Sequence, residues 1–97
     1  MATPIYKVFL ARPTEAWYAL PKAQQDELLA KVNTALESVG GRRLAICDSS
    51  WASEQYQVFG LEEFPDIEAV QRFHAALNEF SWLRYVDTIT TLGTQLG

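Results

Sequence analysis

Residues Ile5–Ala11 are apolar or aromatic at every position except Lys7, and the run ends at Arg12-Pro13. That density of aromatic and β-branched types predicts a strand apolar on both faces. A loop holding Pro13, Thr14 and Trp17 follows, and a helix is expected to start near Pro21, whose missing N–H costs nothing in a first turn. Leu28, Val32, Ala35, Leu36 and Val39 recur at helical spacing as one stripe, with Lys22, Gln24, Asp26, Lys31 and Glu37 away from it. Gly40-Gly41 should end this helix, one of the two supplying a left-handed cap.

Arg43–Ser49 reads as a second strand and Gln55–Leu61 as a third, joined by a polar turn over Trp51–Glu54 as an antiparallel hairpin. Glu62–Pro65 is expected to be a loop. Asp66 is a good N-cap for a second helix over Ile67–Phe80, with the stripe Ile67, Val70, Phe73, Leu77 and Phe80. Tyr85–Leu92, rich in Thr and Ile, is the fourth strand. The order is β-α-β-β-α-β, which predicts an α+β, ferredoxin-like fold with a four-stranded antiparallel sheet.

Two helices cover one face of such a sheet, and the other face should then be polar if it meets water. It is not. In the first strand Tyr6, Val8 and Leu10 share one face, while Ile5, Lys7, Phe9 and Ala11 share the other. Leu44 and Ile46 stand against Ala45 and Cys47 in the second, with no charged face. An open face carrying Phe9, Phe59 and Leu61 would be a sizeable apolar patch. A second copy of the chain would cover it symmetrically, so a homodimer is the expected partner.

With 97 residues the chain is expected to be a single domain spanning 1–97. Its net charge of −4 and lack of a basic face argue against nucleic acid and against an anionic membrane surface. No stretch approaches the roughly 20 apolar residues of a membrane span. The N-terminus has no basic leader before its apolar run, so a cytoplasmic protein is expected.

Three segments, IYKVFLARPT, YQVFGLEEFPDIEAVQRFHAAL and WLRYVDTITTLG, together resemble the dimeric α+β barrel superfamily. Its members include antibiotic-biosynthesis monooxygenases, muconolactone isomerases, stress-responsive barrel proteins and many uncharacterised small proteins. The resemblance lies in layout and not in a catalytic motif. It implies two sheets closing into a barrel, with a ligand pocket bordered by helices and sheet.

Candidate chemistry is sparse. His74, the only histidine, falls at the edge of the second helix's stripe, where a structural histidine is the plainer reading and an acid or base the sharper one. Cys47, the only cysteine, excludes an intrachain disulfide and reads most simply as a small hydrophobe. Lys7 is the informative oddity, because a charge inside an apolar strand either snorkels to an edge or points into a polar cavity. Catalytic candidates are therefore His74, Lys7 and Tyr85. The expected ligand-binding set is Lys7, Phe9, Cys47, Gln57, Phe59, His74 and Trp82, conditional on strand register. Glu62, Glu63, Asp66 and Glu68 crowd one helix start, which dipole compensation explains without an ion. Asp48, Ser49, Ser50 and His74 could be drawn as a triad, but no GxSxG elbow accompanies them. Neither a metal nor any other cofactor is expected, and no phosphate-cradling Gly loop is present.

These features favour a homodimeric barrel binding a small hydrophobic or aromatic molecule in its lumen. The alternatives are a cofactor-independent monooxygenase or isomerase, and a structural or interaction module. An RNA-recognition fold shares the element order, but the acidic charge opposes it.

Overall fold

In the computed structural model, which describes residues 3–97, the chain forms a four-stranded antiparallel sheet with its helices on one side. The strands are β1 (Ile5–Pro13), β2 (Arg42–Asp48), β3 (Val58–Phe64) and β4 (Val86–Gly93), in the order β2-β3-β1-β4. A short helix α1 (Glu15–Tyr18) follows β1, α2 (Lys22–Ser38) leads into β2, and α3 (Ile67–Glu79) follows β3. A 3-10 turn over Trp82–Arg84 precedes β4. This is the ferredoxin-like α+β arrangement expected from the element order.

Local chemistry accounts for the helices. Pro21 stands at the N-cap of α2, and beyond Ser38 the chain reverses through Gly40 at φ 78°, a left-handed conformation that glycine adopts without a Cβ penalty. Asp66 caps α3, its Oδ1 accepting a 2.7 Å hydrogen bond from the Ala69 amide, and Glu68 in the first turn complements the dipole. The core joins Val32, Ala35, Leu36 and Val39 to Ala69, Val70, Phe73 and Leu77, with Phe64 of β3 fully buried beneath them.

Three expectations need correction. The segment around Trp17 is a helical turn. Tyr85 lies outside β4, at the end of the 3-10 turn. β3 begins later and runs further than expected, carrying Glu62 and Glu63 inside the sheet. An acidic pair tolerates a strand here because Arg42 and Arg43 lie directly opposite on β2. Like-positioned opposite charges stabilise such cross-strand pairs.

Register decides what each face carries. β1 sets Lys7 opposite Glu62, Phe9 opposite Gly60 and Ala11 opposite Val58, while β4 sets Thr90 opposite Phe9 and Val86 opposite Pro13. These residues face the helices. The other face presents Val8, Leu10, Phe59, Leu61 and Ile89, with Ala45 and Cys47 from β2, whose register slips by one residue at Leu44. Phe9 and Phe59 therefore lie on opposite faces, not together. Phe9 is accommodated by Gly60, where an added Cβ would stand 2.6 Å from the Phe9 ring and 2.9 Å from the Ala45 carbonyl oxygen.

Candidate functional site

A cavity of about 330 Å³ lies between the sheet and the helices. Its floor is the helix-facing row of β1, from Lys7 through Phe9 and Ala11 to Pro13, a span of roughly 20 Å at the usual rise of a strand. Leu29 and Val32 of α2, and Phe73, His74 and Leu77 of α3, form the roof. The walls are mostly hydrocarbon, and the two ends differ in chemistry.

At the Pro13 end stand two tryptophans. Trp17 and Trp82 meet edge to face, with ring centroids 5.9 Å apart and planes at 86°. Such a contact contributes about 0.5–1.5 kcal/mol beyond area burial. Backbone placement brings them together: the Thr14 amide donates to the Tyr85 carbonyl at 2.9 Å, and the Thr14 hydroxyl to the Arg84 carbonyl at 2.8 Å. Ser81, in the left-handed region at φ 57°, turns the chain out of α3 and into Trp82.

The other end is ionic. Lys7 and Glu62 are both buried, at 5% and 2% exposure, and are the buried charged residues among those described. Glu62 Oε2 accepts from Arg43 Nη2 at 3.0 Å and from Nε at 3.2 Å. Arg43 Nη1 also donates to Asn33 Oδ1 on α2 at 2.8 Å. Glu62 Oε1 is left without a hydrogen-bond partner, and Lys7 Nζ stands 3.7 Å from it. Lys7 Nζ makes its short contact with His74 Nε2, at 3.2 Å, and lies 5.1 Å from the centre of the Phe73 ring.

Two cations thus share one carboxylate in a largely apolar setting. Burial disfavours the ammonium and lowers the Lys7 pKa, a shift that Glu62 opposes and Arg43 reinforces. Burial also lowers the His74 pKa, and the neighbouring Lys7 charge acts in the same direction. The end of the cavity therefore offers an amine, an imidazole and a free carboxylate oxygen, groups suited to holding or moving a proton.

The sequence-predicted residues divide between the faces. Lys7, Phe9, His74 and Trp82 line the cavity. Cys47 and Phe59 pair with each other and belong to the open face, because they alternate with Ile46 and Gly60, which share the helix side with Phe9. Gln57 precedes β3 and is tied to Tyr18, whose hydroxyl donates to its Oε1 at 3.3 Å. Tyr85 does not line the cavity. Asp48 and Ser50 form their own local turn, with the Ser50 hydroxyl donating to Asp48 Oδ1 at 2.6 Å, and take no part with His74. Glu62, Arg43 and Asn33 were not among the predicted site residues. The signal for two of them was the match of Arg42-Arg43 to Glu62-Glu63 across a hairpin. Among the described residues no three His, Cys, Asp or Glu side chains gather as a metal-binding set, and no helix is long and apolar enough to cross a membrane.

Several solved structures share this fold at low sequence identity. An arginine-to-lysine variant of chlorite dismutase from Candidatus Nitrospira defluvii superposes with a TM-score of 0.76 at 12% identity, covering 99% of this chain and 41% of that one. A putative chlorite dismutase, TA0507, gives 0.74 at 19%, covering all of this chain and 47% of that one. This chain thus spans less than half the length of those proteins. A DABB-family protein with a ferredoxin-like fold from Mesorhizobium loti matches end to end, with a TM-score of 0.67, 17% identity, and coverage of 97% and 98%. These likenesses establish the ferredoxin-like α+β fold. No curated protein matches the chain in sequence. Residues 5–97 match a single family profile, and the chain belongs to that family, DUF6616, a family of unknown function.

Proposed function

We propose that this chain is a single small-molecule-binding domain that works as a homodimer, taking a hydrophobic or aromatic ligand into the cavity between its helices and its sheet. The observation that carries the reading is the cavity itself, apolar along its length and polar at one end. Small-molecule sites commonly combine hydrocarbon walls with a few convergent polar groups in a volume of about 300–1,000 Å³. The ligand's body would lie along Phe9, Ala11 and Leu77. Its polar end would meet Lys7, His74 and the free oxygen of Glu62. This places the ligand within one protomer, on the helix side of the sheet, and not in a lumen between two sheets.

The homodimer rests on the open sheet face. Phe59, Val8 and Ile89 there are 43%, 42% and 53% exposed. Charged pairs stand at its margins: Arg42 donates to Glu63 at 2.7 Å at one end, and Arg12 to Asp87 at 3.4 Å at the other. An apolar centre with a polar rim is the usual anatomy of a protein interface.

A second reading, a cofactor-independent isomerase or monooxygenase, is favoured by the Lys7–His74 contact, since proton transfer needs such groups within hydrogen-bond reach of a ligand.

Calorimetric titration with naphthylmethanol tests the binding reading. Binding is expected for the native chain and should be lost, with the fold retained, in Ala11→Leu, whose larger side chain fills the floor of the cavity. Equal affinity for both proteins would place the ligand elsewhere and overturn the reading.

A further inference from the structure

We propose that Lys7 is an imine-forming lysine, and that the cavity takes carbonyl compounds, aldehydes or ketones with an aromatic or other apolar body. The inference rests on the binding reading above and adds a covalent step to it.

The charge arithmetic of the site is the starting point. Arg43 holds Glu62 through two hydrogen bonds to Oε2, and a guanidinium stays protonated in proteins. Glu62 is therefore neutralised without Lys7. The Lys7 ammonium beside this pair is a second cation and a surplus charge in a cavity walled by Phe9 and Phe73, a setting that favours release of its proton. Desolvation and a neighbouring cation are the two settings that turn lysine into a nucleophile at neutral pH. Both are present here, and the amine opens onto space large enough for a substrate.

The neighbours supply what the condensation needs. Nζ attacks the carbonyl carbon, the N–C bond forms, and the carbonyl π pair passes to oxygen, which takes up a proton from solvent. His74 Nε2, 3.2 Å from Nζ, accepts the proton that the attacking nitrogen loses. It then returns one to the carbinolamine hydroxyl, which leaves as water while the nitrogen lone pair closes the C=N bond. No electrons are gained or lost overall: amine, carbonyl and one solvent proton give the protonated imine and water. The protonated imine carries its positive charge on Nζ itself. Glu62 Oε1, buried, unpartnered and 3.7 Å from Nζ, faces that charge. A purely structural ion cluster would leave this oxygen unsatisfied for no return.

The full chain incubated with naphthaldehyde and cyanoborohydride near neutral pH, then digested and mapped by mass spectrometry, tests this. Cyanoborohydride reduces the imine to a stable secondary amine. Lys22 and Lys31, the other lysines of the chain, serve as internal controls in the same tube. The expected result is naphthylmethyl labelling of Lys7 at least tenfold faster than of either control. The Lys7 rate should fall less steeply than the control rates as pH is lowered from 8 to 6, because burial disfavours its ammonium. Labelling of Lys7 no faster than of Lys22 and Lys31 would overturn the proposal. Naphthylmethanol, which has no carbonyl, separates the two readings. Binding of the alcohol without Lys7 labelling would leave the binding reading intact and remove the imine. Failure of both would remove both.

Discussion

Arg43 and Glu62 face each other across β2 and β3, with two guanidinium nitrogens 3.0 and 3.2 Å from one carboxylate oxygen. The pair anchors the ionic end of the cavity. It holds the carboxylate by one oxygen only, so the other stays available beside Lys7.

This asymmetry predicts unequal effects of removing the two buried charges. Glu62→Gln leaves Arg43 and Lys7 without a counter-charge, and breaking a buried pair in this way costs about 3–5 kcal/mol. Lys7→Met removes the surplus cation and keeps the Arg43–Glu62 pair, so stability should change by no more than about 1 kcal/mol. Urea unfolding of the two variants checks the contrast. Equal losses would mean that Lys7 is a structural partner of Glu62.

His74 predicts a pH dependence. Its folded pKa lies below the ordinary 6.5, through burial first and Lys7 second. The unfolded chain therefore binds the proton more readily, and stability rises with pH across that interval. The contribution is fully present above 6.5 and is lost as pH falls through the folded value. The urea midpoint should fall between pH 7.5 and 5.5, and His74→Gln should flatten that fall. An unchanged slope in the variant would assign the effect to other groups.

The open sheet face predicts a mass in solution near twice the 11.0 kDa chain, persisting on dilution. Phe59→Glu, which puts a charge at the centre of that face, should give a monomer that keeps its circular dichroism spectrum. Light scattering reads both, and a native monomer would exclude the homodimer.

Much of the fold was legible because its signals are local. Asp66 before an apolar stripe, Gly40-Gly41 after one, and the Lys7 interruption of β1 each lie within a few residues of what they determine. The faces of the sheet were not local. Phe9 and Phe59 separate because Phe9 pairs with Gly60, a register set by contacts between distant segments, and a shift of one residue exchanges the faces. Glu62 was hidden for a different reason. Glu62-Glu63 before Pro65 has the composition of a loop, and only the facing arginines on β2 make it strand. The site's central carboxylate thus depends on a pairing that no single segment reveals. Lys7 was visible as an anomaly, and its contact with His74 required α3 to be laid across β1.

The most direct test of the central claim uses the three tryptophan indole N–H signals of nitrogen-15-labelled protein, followed during titration with naphthylmethanol. Trp17 and Trp82 line the cavity, whereas Trp51 is 84% exposed, its indole donating to the Asp48 carbonyl at 3.0 Å. Occupation of the cavity should shift the Trp17 and Trp82 signals in a saturable manner and leave Trp51 in place. Saturable binding that moves neither Trp17 nor Trp82, or no binding at all, would contradict the assignment of this cavity as the site.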